Sequence, residues 1–110
     1  YFSGVITYED VSKHKPSPDA YELALKLSKQ KQINCIAIED SFIGVESAKS
    51  ARLNCLLTLP PWTSSNQIIN RKANACVNTL GNSDSPSKLI YGRQLINNYV
   101  DFDYLTSIIN

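Results

Sequence analysis

Short apolar runs alternate with longer amphipathic stretches over the first 60 residues of the chain. The run Gly4–Thr7 is rich in β-forming residues, and Cys35–Ile38 and Cys55–Leu59 are largely apolar segments of strand length. An apolar run without alternation is typical of a strand buried on both faces of a parallel sheet. Pro60 and Pro61 end the last run, because proline cannot donate to a strand ladder.

Two helices are predicted between these strands. The first begins with Ser17 as its N-cap and Pro18 at its first position, and it runs to about Gln30. Its apolar stripe consists of Tyr21, Ala24, Leu25 and Ser28, widened by Leu23 and Leu27. The second runs from about Ile43 to Arg52. Its small-residue face, which permits close packing on a sheet, consists of Gly44, Ser47 or Ala48, and Ala51.

Beyond Pro61 the pattern is weaker. It predicts a loop with a short helix over Trp62–Asn70, in which Trp62 packs beneath the loop, and a short strand at Ala75–Val77. A polar turn at Asn82–Pro86 follows. A closing helix is predicted from the spacing of Phe102, Leu105, Ile108 and Ile109. The order strand–helix–strand predicts an α/β fold with a parallel sheet covered by helices.

Composition and charge narrow the class of partner. The chain has 110 residues, of which 43% are hydrophobic and 19% charged, and its 11 Lys+Arg against 10 Asp+Glu give a net charge of +1. This near-neutrality gives no reason to expect nucleic acid or an anionic membrane as a partner. No apolar run approaches the roughly 20 residues that cross a bilayer, and no signal peptide is recognised. We therefore expect a cytoplasmic location, or the plastid stroma in a photosynthetic eukaryote.

The chain contains 0 methionines and begins abruptly at Tyr1. We expect it to be a piece of a longer protein.

The 3 cysteines are Cys35, Cys55 and Cys76. Their odd number, wide spacing and lack of a C-x-x-C pair do not fit a disulfide framework or a zinc site. We expect buried free thiols in a reducing compartment.

Two carboxylates follow the predicted strand Cys35–Ile38. Ligands of an open parallel sheet bind beyond the carboxyl ends of its strands, which is where Glu39 and Asp40 stand. Adjacent residues of an extended chain point apart, so one carboxylate can face a site while the other supports it. Such oxygens suit Mg²⁺. The alternative is that Glu39, Asp40 and Ser41 only cap the next helix.

A lysine lies in the loop before the first helix, within Lys13–Pro16. Pro16 keeps Lys15 extended, and the helix N-terminus behind it attracts anions, so Lys15 can neutralise a phosphate oxygen. The alternative is a solvated basic loop.

These segments together resemble the haloacid dehalogenase superfamily, closest to its β-phosphoglucomutase-like and CbbY-like phosphatase branch. The family patterns are K-P-x-P-D-x-[FY] and [IL]-E-D-S-x-x-G-[IV], and they correspond here to Lys15–Tyr21 and Ile38–Val45. The joint pattern is far more specific than either half. The stretch Ala75–Gly81, followed by Tyr99–Asp101, is similar to the tail of cyanobacterial and plastid members.

The resemblance implies a three-layer Rossmann-like core with a parallel sheet, of which residues 1–110 are the C-terminal portion. It implies that Lys15 steadies the phosphoryl group, that Asp40 binds Mg²⁺, and that Glu39 is its outer partner; Ser41 receives no role. The implied reaction is Mg²⁺-assisted transfer of a phosphoryl group from a sugar phosphate, such as xylulose bisphosphate, to an aspartate, followed by hydrolysis.

Two family features are not found in these 110 residues: the nucleophile motif D-x-D-G-[TV], and the cap that selects the substrate. The missing N-terminal half of the same protein is expected to supply them, and the isolated chain is expected to be inactive. Asp101–Asp103 is a D-x-D sequence, but Tyr104 and Leu105 follow it, and Asp101 is interpreted as a helix N-cap. The alternative is a truncated, non-catalytic homologue that acts as a binding fragment.

Overall fold

The described residues form a four-stranded sheet whose strands are adjacent in chain order. The computed structural model describes residues 19–29, 31–60, 62–63 and 71–109. The strands are β1 (Ile36–Glu39), β2 (Asn54–Thr58), β3 (Ala75–Val77) and β4 (Leu89–Gly92). The first three are parallel, as predicted, and β4 pairs with β3 in the antiparallel direction.

Helices cover both faces of this sheet. Helix α1 (Asp19–Ser28) and helix α2 (Phe42–Ser50) share one core cluster with the strands, while α3 (Phe102–Ile109) forms a second cluster with β2 and β3. The short 3₁₀ helix Gln32–Asn34 leads from α1 into β1. Side chains alternate along β2, so Leu56 packs on the α3 side of the sheet, whereas Cys55 and Leu57 pack on the side of α1 and α2. The expected three-layer α/β fold is confirmed.

Burial on both faces is confirmed for β2 but wrong for β1. Cys55, Leu56 and Leu57 of β2 expose at most 1% of their surface. In β1, Ile38 is 45% exposed, because β1 is an edge strand of the described sheet and α3 packs against β2 and β3. The strand also begins at Ile36, one residue later than predicted.

The apolar stripe of α1 is narrower than predicted. Tyr21 and Leu25, one turn apart, are buried, but Leu23 and Leu27 are 41% and 72% exposed. The widening by these two leucines is therefore wrong. The helix ends at Ser28, two residues before the predicted end, and Lys29 follows with a φ of 58°.

Helix α2 confirms the predicted small-residue face. Its residues Gly44, Ser47 and Ala48 are buried, as is Ala51 just beyond it. The helix ends in a Schellman motif, in which Arg52 N–H donates to Lys49 O at 2.9 Å and Leu53 N–H donates to Ala48 O at 3.0 Å. Arg52 takes a φ of 62° there. The helix itself ends at Ser50, and the predicted end at Arg52 lies two residues further along because it includes Ala51 and Arg52 of the cap.

The C-terminal third contains one strand that the sequence pattern did not predict. Strand β4 ends at Gly92, which has a φ of 102° and at which a Cβ would lie 2.7 Å from Ala75 Cα. The predicted strand at Ala75–Val77 is confirmed.

In the polar turn, Asn82 Oδ1 accepts hydrogen bonds from the backbone N–H groups of Asp84 and Ser85, both at 2.9 Å.

The closing helix and its cap are as predicted. Asp101 Oδ1 accepts a hydrogen bond from Tyr104 N–H at 2.9 Å, so Asp101 is the N-cap of α3. In the part of the chain that the structure describes, every helix is too short or too polar to cross a membrane. The predicted strand Gly4–Thr7, the cap at Ser17 and Pro18, and most of Trp62–Asn70 lie outside the described residues.

Candidate functional site

An exposed carboxylate, Asp40, follows the carboxyl end of β1. Because β1 and β2 are parallel, both strands end at the same edge of the sheet, where ligands of such folds bind. A cavity of about 330 Å³ lies at this edge. One wall comes from the start of α2 and the other from the segment after β2; the lining residues are Asp40, Ser41, Phe42, Ile43, Leu59, Pro60, Trp62 and Thr63.

Ser41 fixes the chain just after Asp40. Its Oγ accepts a hydrogen bond from Gly44 N–H at 3.0 Å, which makes Ser41 the N-cap of α2. The capping alternative is therefore correct for Ser41. It is compatible with a ligand role for Asp40, whose own carboxylate stays exposed beside the cavity.

Glu39, the last residue of β1, is buried, whereas Asp40 is exposed. The Glu39 side chain is only 6% exposed, and its Oε2 accepts a hydrogen bond from the hydroxyl of Tyr21 in α1. Burial raises the pKa of Tyr21 far above its ordinary value, and the hydrogen bond to Glu39 and its charge act in the same direction. Tyr21 therefore remains a hydrogen-bond donor to Glu39.

A second contact connects the ends of β1 and β2. Thr58 Oγ1 donates a long hydrogen bond of 3.4 Å to the backbone carbonyl of Glu39. The peptide unit before Asp40 is thus in contact with β2, while the Glu39 side chain contacts α1.

The donor chemistry of Asp40 fits a magnesium ligand, because Mg²⁺ is commonly bound by one or two carboxylates together with water and phosphate oxygens. Within the described ranges, no cluster of three or more His, Cys, Asp or Glu side chains could hold a metal. Within these ranges, Asp40 alone does not form a complete ligand set for such an ion. Lys15, the predicted phosphate-binding residue, lies outside the described residues, and its role stays a prediction.

The cysteines do not contribute to this edge. All three are free, as expected: Cys55 and Cys76 are buried and Cys35 is half-buried. Burial raises the pKa of Cys76 to about 11, so its thiol is protonated at neutral pH. None of the three lines the cavity.

Trp62 and Tyr21 make contacts in the structure that were not predicted from the sequence. Trp62 does not pack beneath a loop: it is 83% exposed and lines the cavity. Tyr21 was assigned only to the stripe of α1, yet its hydroxyl reaches the end of β1. A tyrosine predicted to be buried needs a hydrogen-bond partner, and this requirement was the available signal.

An acidic residue and a cavity at the carboxyl edge of a parallel α/β sheet lie where open α/β folds bind their ligands. The family model of haloacid dehalogenase-like hydrolases matches residues 1–58, which is more than half of the chain. The chain belongs to the haloacid dehalogenase-like hydrolase family.

Three proteins illustrate the similarity. The bifunctional riboflavin kinase/FMN phosphatase of Arabidopsis thaliana is 37% identical over 75 residues, which cover 63% of this chain and 20% of that protein. The fructose-1-phosphate phosphatase YqaB of Escherichia coli is 29% identical over 56 residues, 51% of this chain and 30% of that protein. The crystal structure of CbbY from Rhodobacter sphaeroides in complex with phosphate matches with a TM-score of 0.54 and 31% identity, covering 64% of this chain and 31% of that one.

The matched segments span less than a third of each of these proteins. The similarity therefore concerns one part of a haloacid dehalogenase-like protein.

Proposed function

We propose that the protein is a Mg²⁺-dependent phosphatase that hydrolyses a phosphorylated sugar. The similarity to a fructose-1-phosphate phosphatase and to a CbbY crystallised with phosphate supports this reaction class. The observation that carries the proposal is the position of Asp40, an exposed carboxylate beside a cavity at the carboxyl edge of the parallel strands.

Asp40 would hold Mg²⁺ through its carboxylate oxygens, and Glu39 would support this position from the core. When bound, Mg²⁺ supplies positive charge that stabilises the phosphoryl oxygens as charge develops on them. Lys15 would neutralise a further phosphoryl oxygen as a point charge. The nucleophile, an aspartate in the resemblance, is assigned to the part of the protein outside these 110 residues.

The cavity beside Asp40 offers a place for the leaving group. Its walls are largely apolar, and the exposed side chain of Trp62 is part of its lining. Ligand sites are commonly lined by apolar and aromatic side chains with a few polar groups that fix orientation. The C–H face of a sugar ring would pack on the indole while its phosphate reaches toward Asp40.

A second candidate is a non-catalytic binding fragment. The observation that favours it is the exposure of Ile38 on β1, which is an edge strand of the described sheet and could accept a strand from a partner.

Phosphate release by the full-length protein distinguishes the two candidates. The substrates are fructose 1-phosphate, xylulose bisphosphate and FMN, each assayed with and without Mg²⁺. We expect Mg²⁺-dependent hydrolysis of a sugar phosphate, and a loss of about 100-fold or more in kcat/KM for Asp40→Asn. Asp84→Asn, an exposed aspartate in the polar turn, is the control and should retain activity. No hydrolysis of any of these substrates would favour the binding fragment.

A further inference from the structure

The buried hydrogen bond between Tyr21 and Glu39 lies directly behind the proposed magnesium ligand. We propose that Tyr21 is a positioning residue for Asp40 and that it acts through Glu39. This inference rests on the proposed function, since it concerns the metal that Asp40 would hold.

Both partners of this hydrogen bond are withdrawn from solvent. Tyr21 is 5% exposed and Glu39 is 6% exposed, and the two residues are 18 positions apart in the chain. A carboxylate buried in this way is costly unless hydrogen-bond donors compensate for its lost hydration. The hydroxyl of Tyr21 is such a donor, and it therefore contributes to the position of the Glu39 carboxylate.

The orientation of Glu39 bears directly on Asp40, the next residue. Glu39 is the last residue of β1, and Asp40, which follows it directly, lines the cavity, so a shift of the Glu39 side chain and backbone would be passed to Asp40. Contacts of the Glu39 carbonyl with Thr58 and of Ser41 with Gly44 fix the backbone on either side. The hydrogen bond from the Tyr21 hydroxyl holds the Glu39 side chain toward α1.

The same hydrogen bond joins two segments that are distant in the chain. Tyr21 is in the first turn of α1, the helix that follows the Lys15 segment along the chain, and Glu39 ends the strand before Asp40. Removing the hydroxyl would leave the buried carboxylate without this donor. We expect the carboxylate to move toward another polar partner and to displace Asp40 with it.

Metal binding is the measurement that tests this inference. Mn²⁺ replaces Mg²⁺ as a paramagnetic probe, and its binding to the full-length protein is followed by electron paramagnetic resonance. Outer partners of metal ligands typically contribute about 10- to 100-fold to affinity, and we expect Tyr21→Phe to weaken Mn²⁺ binding by about 10-fold. The Mg²⁺ concentration for half-maximal activity should rise in parallel, with KM for the sugar phosphate at saturating Mg²⁺ unchanged.

Tyr104→Phe is the matched control. Tyr104 is also buried, and its hydroxyl donates to Arg93 O at 2.5 Å on the α3 side of the sheet. This variant shows the effect of removing a buried tyrosine hydroxyl at a position away from Asp40. We expect Tyr104→Phe to lower the melting temperature without changing the Mn²⁺ affinity. An equal loss of affinity in both variants would mean that Tyr21 acts only through stability, and would overturn the inference.

Glu39→Ala provides a second background in which Tyr21→Phe is tested. If Tyr21 acts through Glu39, adding Tyr21→Phe to Glu39→Ala causes little further loss of Mn²⁺ affinity. A further loss as large as the one that Tyr21→Phe causes in the wild-type protein would overturn the inference. Unchanged affinity in Tyr21→Phe also overturns it and leaves the proposed function standing. A wild-type protein that binds no Mn²⁺ overturns both.

Discussion

Asn74 is hydrogen-bonded to Cys55 through both its main chain and its side chain. Asn74 N–H donates to Cys55 O at 2.8 Å, and Cys55 N–H donates to Asn74 Oδ1 at 2.8 Å. The side-chain oxygen replaces a backbone carbonyl, so the pairing of β2 with β3 continues one residue before β3 begins. The same oxygen also accepts from Lys49 Nζ at 2.7 Å, which connects α2 to the edge of this ladder.

Replacing Asn74 by alanine should destabilise the fold. Asn74→Ala removes the acceptor of the partly buried Cys55 N–H, and an unsatisfied donor of this kind costs about 1–3 kcal/mol. Urea unfolding followed by circular dichroism measures the change. Asn74→Asp keeps the accepting oxygen and should lose less stability. Equal losses in the two variants would show that this oxygen is not the stabilising group.

Replacing Arg52 by glycine should stabilise the fold. Arg52 occupies the C′ position of the Schellman motif with a φ of 62°, a conformation that glycine adopts without strain. We expect Arg52→Gly to raise the free energy of unfolding by about 0.5–1 kcal/mol. Glu46→Gly, in the interior of α2, is the opposite control and should destabilise. A destabilised Arg52→Gly protein would contradict the role of this position.

The N-cap of α3 predicts a dependence of stability on pH. A hydrogen bond from Asn97, reinforced by Tyr104 N–H, lowers the pKa of Asp101 below its ordinary value of 3.8. A lowered folded-state pKa means that this stabilisation is present above pH 3.8 and is lost as the pH falls below it. Thermal unfolding between pH 2.5 and pH 6 measures this loss of stability.

Asp101→Asn separates the charge from the cap. The asparagine oxygen can still cap the helix, but it does not titrate, so the variant should lose this part of the acid dependence. Asp101→Ala should lose about 1 kcal/mol at neutral pH, where the cap itself is removed. The same acid dependence in Asp101→Asn and in wild type would assign it to other groups.

The proposed position of the leaving group predicts a binding effect at Trp62. Trp62→Ala removes the indole wall of the cavity and should raise KM several-fold with a smaller change in kcat, since the contact is made equally before and during the reaction. Leu27→Ala removes an exposed apolar side chain on α1 and should leave KM unchanged. Steady-state kinetics with the sugar phosphate provides the comparison. An unchanged KM in Trp62→Ala would place the leaving group elsewhere.

Local signals explain which elements could be predicted from the sequence. The apolar run around Leu56, the N-cap at Asp101 and the small residues of α2 each determine their structure within a few neighbours, and all three are confirmed. The strand ending at Gly92 was missed, because its antiparallel pairing with β3 depends on residues distant in the chain. The exposure of Ile38 was missed for the same reason, since strand order decides which strand is an edge.

The candidate site likewise has features that the sequence predicts and features that it does not. The place of Asp40 follows from the rule that ligands bind at the carboxyl ends of parallel strands, so the sequence pattern was sufficient. The partnership of Tyr21 with Glu39 joins a helix and a strand through side-chain geometry that no local pattern contains. The cavity wall at Trp62 likewise depends on how the segment after β2 lies beside the start of α2.

The reversal of β4 gives the described sheet two unlike edges. A further parallel strand added beside β1 would end on the same side as Asp40 and could bring a reacting group to it. A strand added beside β4 and parallel to it would end on the opposite side, away from the site. Because Asp40 follows β1, and β2, β3 and β4 lie between β1 and the other edge, the β1 edge is the side of the described sheet from which another strand can complete the site.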